Sequence, residues 1–103
     1  MEWHVHQYVE GLSEMIVVQF LKILRDEHLC VPRSKEGGKL DPPSNSELGR
    51  WCKKNGVLIN GQFVDARDEM PDWVWQLTFF PKNDKARCSV VWEEIDIITE
   101  ETH

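Results

Sequence analysis

The chain is predicted to be an α+β domain, two helices packed on a small antiparallel sheet, and three observations predict it. Apolar residues recur at helical spacing in two stretches, each opened by a capping residue. Asn60-Gly61 sits between two β-prone triplets, the strongest short hairpin signal a sequence carries. A run from Trp73 to Phe80 places Trp73, Trp75, Leu77 and Phe79 at alternate positions, the period of a strand.

Residues 1–12 form an N-terminal arm, whose Trp3–Val9 stretch alternates loosely and suits a short strand. Gly11 ends it. Ser13 is placed as an N-cap, with Glu14 in the first turn favouring the helix dipole. Ile16, Phe20, Ile23 and Leu24 then share a face, with Lys22, Arg25 and Asp26 outward, giving a first helix over 13–28 that stops before Pro32. Residues 29–43, with three Pro and two Gly, make an exposed loop. Ser44 and Glu47 stand three apart, the capping-box spacing, and open a second helix that ends at Asn55-Gly56. Gly56 is expected to take the left-handed position after it. Val57-Leu58-Ile59 and Gln62-Phe63-Val64 flank the Asn60-Gly61 turn. An aromatic β-hairpin follows over 73–98, with Arg87–Glu93 returning, and 99–103 is an acidic tail. The alternate aromatics of the long strand are most simply core. All of this fits one domain over 1–103.

Composition narrows the function. No apolar run nears the ~20 residues that cross a bilayer, and the first residues lack the basic start and apolar stretch of a signal peptide. A cytoplasmic protein with no membrane role is expected. Cys30, Cys52 and Cys88 are odd in number and scattered, so reduced thiols are expected rather than a disulfide framework. The net charge is −6, but it is unevenly spread. Residues 31–60 hold six basic and three acidic side chains, whereas both flanking segments are acidic. A basic island in an acidic chain suggests one face for an anionic partner. On a helical wheel Leu48, Trp51 and Cys52 share one side of the second helix, and Arg50, Lys53 and Lys54 share the other.

The stretch Ser44-Asn-Ser46-Glu47-Leu-Gly-Arg50-Trp-Cys-Lys53-Lys54-Asn-Gly56-Val57-Leu-Ile59-Asn60-Gly61, continuing through Val64, Asp65 and Asp68-Glu69-Met70, resembles the S-four-type (alpha-L motif) RNA-binding domain. The family opens with spaced serines on a helix and then has Gly-x-Val-x-Ile-Asn-Gly. The resemblance covers Ser44 to about Met70. It implies a helix-hairpin core, with RNA lying across the second helix and the loop before it. Carried over by position, the contacts it implies are Ser44, Ser46, Arg50, Lys53 and Lys54. The loop adds Arg33, Lys35 and Lys39, whose charges fall next to that helix in the chain. The aromatic hairpin from Trp73 onward lies outside the resemblance.

The expected function is therefore binding of structured RNA, or DNA, through a basic helix face. The alternative is a protein-interaction module or small inhibitor that uses the aromatic strand and acidic surface. Catalysis is not expected, because no nucleophile-base spacing, phosphate-cradling Gly loop or carboxylate pair stands out. Cys52 falls on the apolar helix side, which suits an inert core thiol. His4 and His6 lack a third ligand in register, so no metal or cofactor is expected.

Overall fold

The computed structural model describes residues 2–5, 9, 11–34 and 41–92. Strand β1 (Glu2–Val5) leads to a 3-10 turn at Leu12–Glu14, then to helix α1 (Val17–Ile23), which continues as a π-helical turn over Leu24–His28. Helix α2 (Asn45–Lys53) precedes β2 (Val57–Ile59), β3 (Gln62–Phe63), β4 (Gln76–Phe79) and β5 (Cys88–Trp92). The α+β class holds, with helices on a five-stranded sheet in the order β1-β5-β4-β2-β3.

The sheet is mixed, not antiparallel. β1 runs parallel to β5, with Trp3 opposite Val90 and Val5 opposite Trp92. A parallel neighbour cannot be reached by a tight turn, so here nearly the whole chain separates the two strands. The other pairs are antiparallel as expected: β2 with β3, β2 with β4, and β4 with β5. Val57, Ile59, Leu77, Phe79, Val90 and Trp92 are buried at alternate strand positions. They pack with Phe20, Leu21, Leu24, Leu48 and Trp51 of the helices in one apolar core. Its aromatic contacts include Phe20 with Trp92 at 5.6 Å and Trp51 edge-on to Phe80 at 4.9 Å between ring centroids.

The Asn60-Gly61 turn has positive φ at both positions, 52° and 84°, as a two-residue hairpin of this type requires. Three other expectations are corrected. Ser13 does not cap α1: it lies in the 3-10 turn, and Met15 and Ile16 are extended. The first N–H groups of α1 instead donate to a distant segment, Val17 to Asp68 O at 2.8 Å and Val18 to Ala66 O at 2.9 Å, while Met70 N–H reaches back to Met15 O. Gly56 is not the left-handed residue after α2. Asn55 is, with φ 57°. Glycine is needed at 56 because its N–H reaches Trp51 O at 2.7 Å, and a Cβ there would lie 2.8 Å from that oxygen. Finally, the aromatic strand is short. β4 begins at Gln76, and Trp73 and Trp75 are 50% and 52% exposed while Val74 between them is buried. They are surface, not core. The expected strand continuation through Ile95, Ile97 and Ile98, and the acidic tail, lie outside the described residues.

Candidate nucleic-acid interface

Helix α2 is built by its own sequence. Ser44 Oγ accepts from Glu47 N–H at 3.1 Å, the expected cap. Glu47 itself is 2% exposed, and its Oε1 accepts from Ser34 Oγ at 2.6 Å. This bond ties the loop to the first turn of α2. The two helix sides divide as the wheel requires. Leu48, Trp51 and Cys52 are buried, and Arg50, Lys53 and Lys54 are exposed. Cations in the last turn also favour the C-terminal end of the helix dipole, a structural benefit that holds whatever the surface binds.

The remaining positions separate. Ser46 is exposed at the start of α2, and Ser44 is exposed but its hydroxyl is engaged in the cap. Lys35 and Lys39 lie outside the described residues. Arg33 is exposed and lies beside the first turn of α2 rather than beside Lys53 and Lys54 at its end. Its neighbour Ser34 bonds Glu47, and Lys53 lies six residues further along α2, about 9 Å of axial rise.

Arg33 instead lines a cleft of about 440 Å³ with Arg25, Lys85 and Arg87, three cations that no local pattern singled out. Trp3, Leu29, Val31, Pro32, Pro42 and Cys88 supply its apolar lining. Arg25, expected to face solvent, is a clamp: its guanidinium donates to Asp26, to Pro43 O at 3.0 Å and to Asn45 Oδ1 at 2.7 Å. The hydrogen bond from Arg25 holds the Asp26 carboxyl below its usual range, and Asp26 in turn raises Arg25. The loop, the end of the first helical segment and the start of α2 are thereby held together.

A second surface forms at the hairpin turn. Asn60 Oδ1 accepts from Trp75 N–H at 3.0 Å, and Asn60 Nδ2 donates to Trp73 O at 2.8 Å. The backbones that carry both exposed indoles are therefore pinned to a two-residue turn. Phe63, also exposed, has Lys82 Nζ 5.4 Å from its ring centroid.

Burial pushes the Cys52 thiol up to about 11, and Asp65 and Asp68 add to the effect. A neutral, buried thiol is a poor nucleophile. None of the three cysteines is in a disulfide, and all are buried. Among the described residues no group of three or more His, Cys, Asp or Glu is placed to hold a metal ion, and no helix is long and apolar enough to cross a membrane. His4 lies 3.1 Å from Glu2, while His6 is outside the described residues. No protein-family model matches the chain, and neither a curated protein nor a solved structure is detectably similar to it.

Proposed function

We propose that this protein binds structured RNA, with DNA as the nearest alternative polyanion, across the outer side of α2, as an S-four-like domain would. The observation that carries the reading is the division of α2: three cations within five residues are all exposed, and the apolar residues between them are all buried. The cations are therefore held at fixed spacing on a rigid element. Phosphate contacts need charge and position but no base edge. The chain as a whole is acidic, with a net charge of −6, so attraction of a polyanion depends on local basic surface such as this one.

The test is a salt titration of RNA retention, comparing the natural chain with Arg50→Ala/Lys53→Ala/Lys54→Ala. Affinity falls in the variant, and the slope of log K against log salt shrinks by about two to three, between about 0.7 and 0.9 for each lost phosphate contact. Equal slopes in the two proteins would remove α2 from the interface. Absence of RNA and DNA retention even at low salt would favour the second reading, a protein-interaction module. That reading rests on Trp73, Trp75 and Phe63, three large side chains about half exposed, since aromatic residues are enriched at protein interfaces.

A further inference from the structure

We propose that the cleft beside the start of α2 is a binding site for one 5′-phosphorylated nucleotide, either free or as the first residue of an RNA strand. Its lining combines cations with apolar surface, the two chemistries that a nucleotide itself carries. Arg33, Lys85 and Arg87 are exposed at the cleft, and no described lining residue is acidic. Guanidinium forks match phosphate oxygens two at a time, and an ammonium adds a point charge. Trp3 and Leu29 line the same cavity, and an indole is a surface on which any base stacks. At about 440 Å³ the cleft lies within the ~300–1,000 Å³ range of small-molecule sites.

Leu29 adds to the apolar lining. It closes the helical segment as its left-handed cap residue, with φ 55° and its N–H on Leu24 O, and its side chain stands 77% exposed at the cleft. A base in the cleft would cover that side chain.

The strand-end form rests on the RNA reading; the free-nucleotide form does not. The full chain, labelled with ¹⁵N, is titrated at low salt with adenosine 5′-monophosphate, with adenosine and with inorganic phosphate. A short RNA with a 5′-phosphate or a 5′-hydroxyl follows. The monophosphate shifts the amides of Leu29, Ala86 and Cys88 and the indole N–H of Trp3, and binds at least about tenfold more tightly than adenosine, as charge-assisted contacts require. Neither Lys85→Glu nor Leu29→Asn, both at exposed positions, lowers the melting temperature of the natural chain. Lys85→Glu weakens the monophosphate about tenfold and Leu29→Asn about threefold. A preference for the 5′-phosphorylated strand assigns the site to strand ends, and equal retention of both strands with a bound monophosphate assigns it to free nucleotide. Adenosine binding as tightly as its monophosphate would overturn the proposal. So would shifts confined to α2, or no cleft response to either the monophosphate or the phosphorylated strand. RNA retention through α2 with a silent cleft removes this site alone, and nucleotide binding without RNA retention removes the RNA reading alone.

Discussion

At Gly61 the backbone lies at φ 84°, and nothing stands within 4 Å of where a Cβ would be. A side chain there would meet no steric neighbour, so the cost of substitution is conformational. Gly61→Val should lower stability by more than about 1 kcal/mol, because a β-branched residue resists the left-handed region. Thermal unfolding measures it, and an unchanged melting temperature would contradict the turn. Cys52 offers a second test at this scale, read from pH. An unfolded thiol ionises near about 8.5, whereas the folded one is held up to about 11 by burial first and by Asp65 and Asp68 second. The folded state therefore keeps its proton where the unfolded state loses it. The stability associated with Cys52 is fully present below the unfolded value and declines as pH rises towards the folded one. The natural chain should lose more stability across that window than Cys52→Ala does. Parallel losses in the two proteins would show that the thiol is not buried in the protonated form.

The two helices begin by different means. α2 is opened by its own Ser44, whose hydroxyl takes the Glu47 N–H. α1 is opened by carbonyls of Ala66 and Asp68, some fifty residues away in the chain. Two serines that look alike in sequence should then behave differently. Ser44→Ala should cost about 1 kcal/mol, the usual loss of a cap. Ser13→Ala should cost only a few tenths, as for an exposed residue away from any cap. Denaturant unfolding of both variants checks the difference, and equal costs would refute it. The exposed cations of α2 belong to the same scale. Removing all three charges should leave stability almost unchanged, since exposed charges contribute only tenths of a kcal/mol each.

Across the molecule the five tryptophans fall into three classes. Trp51 and Trp92 are buried in the core, and Trp3 is half-buried beside the cleft. Trp73 and Trp75 stand out at the far end of β2 from α2, held by Asn60. Trp51→Ala should cost about 3–5 kcal/mol through lost burial and the cavity left behind. Trp73→Ala and Trp75→Ala should each cost less than about 1 kcal/mol while weakening retention of single-stranded RNA, if their indoles stack on bases. Melting curves and retention assays on the same variants separate the cases. A large stability loss at Trp73 would restore it to the core. Unchanged RNA retention with a folded protein would assign these indoles to a protein partner.

The features legible in the sequence are those set by residues a few positions apart. The Asn60-Gly61 turn follows from which residues tolerate positive φ. The cap of α2 follows from a hydroxyl three residues before an N–H. The buried and exposed sides of α2 follow from its 3.6-residue period, and the pairing of β4 with β5 from two β-prone runs joined by a turn. What tertiary structure decided depends on partners far away in the chain. Alternation assigns a side to each residue but not the length of a strand. β4 begins only at Gln76, because Asn60 takes the backbone groups of Trp73 and Trp75, which leaves both indoles outside. The parallel β1, the start of α1 and the gathering of Arg25, Arg33, Lys85 and Arg87 around one cleft all join segments many residues apart. No local preference encodes such a meeting; it arises only when distant backbone groups find each other's hydrogen bonds and a shared core draws the segments together.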